Sequence, residues 1–341
     1  MTQNTDWHIF MGNGKTKLTD LPKAPPWRQF DRGNRKTGEN FILTPKVISL
    51  VNTAIYLRRP LLVTGPPGTG KSSLATAIKE NLGLDEVLVW AINSRANIKE
   101  ALYTYDPIGR LQEVGPGSTA TAEEIGRYLR LGPLGTAFAH SKFPEKNTSK
   151  KPTVLLIDEI DKSDIDLPND LLHILEDGYF EIPEVARLQE TNRGGGSVKV
   201  QSAGDFDKIE VPADGIVRCE EFPIIIITSN GERELPSPFL RRCLQLDIPA
   251  PGEDDLVKIA LSHLRDLEEE QEKKVRELAK ELDQRRQVNQ HVATDQLLNA
   301  AYLINNEIDI EQILGINPNS DTGRQKLRDI LLKTIMYIDH D

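Results

Sequence analysis

Eight consecutive residues constrain this chain more than any others: Gly65, Pro66, Pro67, Gly68, Thr69, Gly70, Lys71 and Ser72. The apolar triplet Leu61, Leu62, Val63 precedes them, and residues 72–82 read as a helix. A glycine-rich turn between a buried strand and a helix can aim its backbone N–H groups inward. The helix adds the positive end of its dipole, and the result is an anion cradle. The spacing G-x-x-x-x-G-K-S matches a nucleotide's phosphates. Lys71 reaches the β- and γ-phosphates, and Ser72 offers a hydroxyl to Mg²⁺. From typical residue frequencies, roughly one chain of this length in a hundred would carry the pattern by accident. The flanking strand and helix make accident rarer still. Gly65 to Ser72, with Ser73, form the predicted nucleotide-contacting set.

The same loop fixes the fold class. Apolar residues at helical spacing, Val47, Ile48, Val51, Ala54 and Ile55, predict a helix over 44–57 that Pro60 ends. Residues 87–91, 154–157 and 224–227 are further strand-sized aliphatic runs. Runs apolar on both faces and separated by helices predict a parallel sheet between helix layers, an α/β fold. The run ending at Ile157 leads into Asp158 and Glu159, 87 positions after Lys71. Ligands gather at the carboxyl ends of such strands. Asp158 is therefore expected to hold Mg²⁺, directly or through water, and Glu159 to polarise the attacking water. Asp161 and Asp164 read as surface or capping residues. A third run ends in Thr228, Ser229 and Asn230.

Three stretches exceed a minimal unit of this kind: 115–124, 141–151 and 188–207. The last contains Gly194, Gly195 and Gly196 and alternating segments that predict a β-hairpin. Pro249, Pro251 and Gly252 mark a hinge. Beyond it, stripes such as Leu256, Ala260, Leu264 and Val275, Leu278, Leu282 predict helices only, the last over Leu327, Ile330, Leu331 and Ile335. The expected organisation is an extended arm over 1–40, a core over 41–248 and a helical lid over 249–341. In the arm, Trp27 and Phe30 either belong to a disordered leader or dock it on a neighbour.

The net charge is −10, and 12 basic against 19 acidic residues after Pro251 put much of it in the lid. A nucleic-acid binder usually shows a basic face, so the balance argues against one. Cys219 and Cys243 make no disulfide framework. Residues 1–7 lack a basic-then-apolar leader pattern, and no aliphatic run is long enough for a bilayer. These features lead us to expect a cytoplasmic protein.

With these residues in order, the chain resembles the AAA+ ATPases, and within them the MoxR group. Gly65 to Ser72, the Leu155 to Glu159 strand end, Ile227 to Asn230, and Leu235 to Cys243 follow the family's order, and a helical lid follows. Arg110 to Gln112 and Arg127 to Gly135 resemble that group's insert in helix 2, and 188–217 its hairpin before sensor 1. The resemblance covers residues 41–338. It implies that Asn230 is sensor 1, hydrogen-bonding the γ-phosphate and the water. It implies that Arg242, or Arg241 beside it, reaches into the next subunit's site. Gln296, not arginine, stands at the expected sensor-2 position, with Arg324 as an alternative. Pro25 to Arg28 and the acidic run from Asp158 to Asp170 are similar to MoxR-like ATPases of bacterial conflict systems, which work beside von Willebrand factor A-type proteins.

The resemblance implies a Mg²⁺-dependent ATPase in a ring, a hexamer, that remodels a protein partner. On this reading Lys71, Glu159, Asn230 and Arg242 carry catalysis. Ser72 and Asp158 hold the metal. The inserts at 110–135 and 188–217 touch the client, being polar and unnecessary to the core. The alternative is a nucleic-acid motor or clamp-loader-like subunit.

Overall fold

The computed structural model describes residues 24–25, 28, 41–114, 121–140, 152–190, 196–204, 207–264, 267–287 and 294–306. The readings for Trp27 and Phe30, Arg324, the last helix and residues 141–151 lie outside them.

Five parallel strands form the central sheet, in the order Leu244–Asp247, Leu61–Thr64, Ile224–Ser229, Val154–Asp158, Val87–Ala91. All six residues of the middle strand are buried, and the first four, Ile224 to Ile227, are an unbroken apolar run for that reason. Successive side chains point to opposite faces. Leu61, Val63, Val154, Leu156, Ile224 and Ile226 therefore pack on one side with Val47, Leu74 and Ile78 of the helices Pro45–Leu57 and Ser73–Leu82. Leu62, Leu155, Ile157, Ile225 and Ile227 pack on the other with Phe138 and Leu171 of the helices Pro133–His140 and Leu167–Asp177. Each fully buried side chain of this kind contributes about 1.5–3 kcal/mol. The fifth strand, Leu244–Asp247, escaped the sequence reading. It lies at an edge, buries only Leu246 completely, and so carries no apolar run.

The helix starts follow local chemistry. Thr44 accepts the N–H of Val47 at 3.3 Å ahead of Pro45, a residue suited to the first helical turn. Arg58 closes the same helix in the left-handed region.

The first insert leaves the sheet layer after the helix Ile98–Leu102 and returns at Pro133–His140. Between them Tyr103–Tyr105 pairs antiparallel with Leu129–Leu131. Gly132 N–H donates to Leu102 O at 2.9 Å and ties the two ends together. Glycine is needed there: a Cβ on Gly132 would meet Glu100 O at 2.2 Å, and one on Gly135 would meet Leu102 O at 1.9 Å.

The predicted hairpin is present as Ser197–Val200 against Ile209–Pro212. Its expected independence from the core is not. Val198, Val200, Val211 and Val217 are buried with Leu129, Leu131 and Phe138. Leu131 N–H also donates to Gln201 O at 2.8 Å, and Gln201 N–H to Leu129 O at 3.2 Å. The two inserts are thus one packed body. Alternating valines looked like a solvated hairpin because their partners lie some seventy positions away.

Phe41–Pro249 forms one compact unit, and the residues from Ala250 onward fall in a second. There the helices Glu253–His263, Glu269–Gln287 and Thr294–Asn305 bury Leu256, Ala260, Leu264, Val275, Leu278, Leu282 and Leu297, the expected stripes. No helix among the described residues is long and apolar enough to cross a membrane.

Candidate functional site

Three neighbouring strands end side by side, and the residues beyond their carboxyl ends form the site. In the loop after Thr64, Gly65, Gly68 and Gly70 have φ of 147°, 74° and 81°, values that glycine reaches without steric cost. At Gly65 a Cβ would also lie 2.1 Å from Ile248 O. Lys71 is 6% exposed, and its Nζ donates to Gly65 O and Pro66 O, both at 2.8 Å. Burial pushes its ammonium down from the usual lysine range, while Asp161, Asp158 and Glu159 hold it up. A desolvated cation whose acceptors among the described residues are loop carbonyls is suited to meeting an anion.

Asp158 Oδ1 accepts from Ser72 Oγ and from Thr228 Oγ1, each at 2.6 Å. Glu159 follows in the left-handed region, φ 62° and ψ 51°. That conformation costs a non-glycine residue about 1–3 kcal/mol and is held only by its surroundings. Here the Glu159 N–H donates to Thr228 Oγ1 at 2.8 Å. Its carboxylate accepts from Asn230 Nδ2 at 3.1 Å and from Lys162 Nζ at 2.7 Å. The hydrogen bond to Glu159 raises the Lys162 ammonium above its ordinary range.

Asp161 is not on the surface. It is 4% exposed, and its Oδ2 accepts the N–H groups of Asn230 and Glu232, both at 3.0 Å. It therefore caps the turn that carries Asn230. Asp164 caps as expected, accepting Leu167 N–H at 3.0 Å. Thr228, Asp161 and Lys162 were missed as site residues. The only sequence signal was their place at, or in the short helical turn just after, the polar end of a strand, and which groups they face depends on strand order.

Among the described residues no cluster of three or more His, Cys, Asp or Glu could cage a metal ion. Mg²⁺ is commonly held instead by one or two carboxylates together with substrate phosphates. Adjacent hydroxyl and carboxylate oxygens from Ser72 and Asp158 fit that demand.

The structure thus brings together Lys71, Ser72, Asp158, Glu159 and Asn230. Arg242 has its contacts elsewhere: it ends the helix Ser237–Arg242, forms an ion pair with Glu176, and donates to Pro238 O at 3.3 Å. Arg59 donates to the carbonyl oxygens of Arg241 and Arg242, which anchors that helix end. Gln296 is buried within the C-terminal unit.

Residues 60–243 match the AAA domain of the dynein-related subfamily. CD-NTase-associated protein 6 of Pseudomonas aeruginosa is 26% identical over 230 residues, 67% of this chain and 59% of that protein. A Lon protease of Heliobacterium modesticaldum is 27% identical over 261 residues, 72% of this chain and 24% of that protein. The chain thus spans about three fifths of the first relative and a quarter of the second. A solved structure of a candidate ATPase from Cytophaga hutchinsonii aligns over 80% of this chain and 61% of its own, at 14% identity and a TM-score of 0.34. The family match spans the phosphate loop and Asp158, Glu159 and Asn230 at the strand ends, and the chain belongs to the AAA domain family, dynein-related subfamily.

Proposed function

We propose that this chain hydrolyses ATP in a ring of its own copies and uses the cycle to remodel a protein partner, in the manner of the MoxR group. The observation that carries the reading is the convergence of Lys71, the Ser72–Asp158 pair and the Glu159–Asn230 pair on one end of the sheet.

Phosphoryl transfer asks a protein mainly to position groups and to balance charge. Lys71 exchanges its two loop carbonyls for phosphate oxygens when ATP enters. Ser72 and Asp158 would hold Mg²⁺, which when bound neutralises charge on the β- and γ-phosphate oxygens. Glu159 orients the attacking water and draws its proton. Asn230 fixes one carboxylate oxygen of Glu159, and Lys162 the other. Arg242 acts on the site of the neighbouring copy. The core over 41–248 holds the site, and the lid over 249–341 moves with nucleotide state.

The likeness to CD-NTase-associated protein 6 supports a partner within a conflict system of that kind. A von Willebrand factor A-type protein is the first candidate client, and the ring is expected to be a hexamer. The packed insert body is the surface we assign to the client.

Glu159→Gln tests the reading. It should keep ATP binding and lower turnover by at least about a hundredfold, the scale lost when a reacting group is misplaced. Turnover within a few-fold of the unaltered protein would remove Glu159 from the catalytic role.

A further inference from the structure

Thr228 is a buried hydroxyl that joins two functional carboxylate residues. It is 1% exposed, on the middle strand of the sheet. Its Oγ1 donates its single proton to Asp158 Oδ1 at 2.6 Å. The same oxygen accepts the Glu159 N–H at 2.8 Å. Asp158 Oδ1 also accepts from Ser72 Oγ, so one carboxylate oxygen is the meeting point of two hydroxyls. The side chain is thus committed at both of its functions, and its partners are consecutive residues, the last of the neighbouring strand and the one after it.

The two bonds have distinct consequences. The bond to Asp158 sets which way that carboxylate faces. The bond from Glu159 N–H supplies an acceptor for a peptide group in the uncommon left-handed conformation. That conformation turns the Glu159 side chain back toward Asn230, with Nδ2 to Oε1 at 3.1 Å. Strand register makes the arrangement possible: Ile224–Ile227 pair in step with Val154–Ile157, so Thr228 stands beside Asp158.

We infer that Thr228 is a positioning residue for hydrolysis, holding Asp158 and Glu159 in fixed relative orientation through its hydroxyl. This rests on the reading of Asp158 and Glu159 given above. The hydrogen bonds of the Thr228 hydroxyl go to the Asp158 carboxylate and the Glu159 peptide. Its loss should lower turnover while leaving the phosphate loop able to bind. Groups that orient first-contact ligands typically change activity by about 10–100-fold when removed.

The test compares the full-length chain with Thr228→Val, Thr228→Ser, Thr228→Ala and Glu159→Gln. Thr228→Val keeps the shape and removes the hydroxyl. Steady-state kcat and KM are measured alongside binding of a fluorescent ATP analogue with Mg²⁺ and thermal unfolding. We expect Thr228→Val to lose kcat by about 10–100-fold, to bind the analogue as the unaltered protein does, and Thr228→Ser to recover most of the rate. If Thr228→Val does not fold, the Ser and Ala variants still isolate the hydroxyl, because neither carries the methyl group; Ser should turn over faster than Ala with equal analogue binding. Equal rates for Ser and Ala, or a near-normal kcat in Thr228→Val, overturn the inference. A loss of analogue binding in parallel with kcat also overturns it, since the residue would then serve the loop's integrity. Glu159→Gln separates the two levels. If it still hydrolyses ATP, the reading beneath the inference has failed; if it is inactive while Thr228→Val is not, only the inference has.

Discussion

Replacing Arg242 by alanine should separate catalysis from stability cleanly. Its ion pair with Glu176 joins two side chains that are 46% and 49% exposed. Surface pairs of this sort are worth about 0–1 kcal/mol. The short helix Ser237–Arg242 is held by other means: Phe239 is completely buried, and Arg59 binds the last two carbonyls. Unfolding free energy should therefore fall by less than about 1 kcal/mol. The rate should respond on another scale. Negative charge spreads over the γ-phosphoryl oxygens in the transition state, and an arginine supplied from a neighbour is worth about 10³–10⁵ in rate, or roughly 4–7 kcal/mol. Arginine suits the task because it stays charged and presents a planar fork of donors. Two assays decide. The first compares Arg242→Ala with Glu176→Ala. If Arg242 serves only its ion pair, the two variants behave alike; if it acts on a neighbour, Glu176→Ala hydrolyses ATP normally and Arg242→Ala does not. The second mixes Arg242→Ala with Lys71→Ala across ratios, with subunit exchange confirmed. A mixed interface combines one intact phosphate loop with one intact arginine, so activity should reappear. No recovery at any ratio, or equal loss in Glu176→Ala, refutes the reasoning and turns attention to Arg241.

Three further outcomes are expected. Lys71→Ala should abolish ATP binding, read by titration with a fluorescent analogue, because among the described residues Lys71 is the buried cation of the loop; normal affinity would refute the loop assignment. Deleting residues 194–204 should unfold or strongly destabilise the chain, since Val198 and Val200 each contribute about 1.5–3 kcal/mol of burial; unchanged thermal unfolding would show that the hairpin is dispensable. Gly135→Ala should lower stability by about 1–3 kcal/mol or more, because its Cβ would overlap Leu102 O; a denaturant midpoint equal to the unaltered protein's would count against the tight insert junction.

Sequence alone determined the features that depend on neighbours along the chain. The phosphate loop is contiguous, so its glycine spacing, Lys71 and Ser72 were readable as one unit. Strands buried on both faces must be apolar throughout, which made Leu61–Thr64, Val154–Asp158 and Ile224–Ser229 visible and with them the parallel sheet. The C-terminal helices declared themselves by period, as Val275, Leu278 and Leu282 illustrate. The tertiary structure decided what depends on strand order and register. Leu244–Asp247 became a strand only by pairing with Leu61–Thr64, for its own four residues alternate and carry little signal. Thr228 acquired its role because strand Ile224–Ser229 lies directly beside Val154–Asp158. Asp161 was buried because the turn after Ser229 offered two N–H groups that needed an acceptor. The valines of the hairpin were core residues because Leu129 and Leu131, far away in sequence, closed over them. A side chain's type is local information, but its partner is set by topology, and chemistry at a site depends on both.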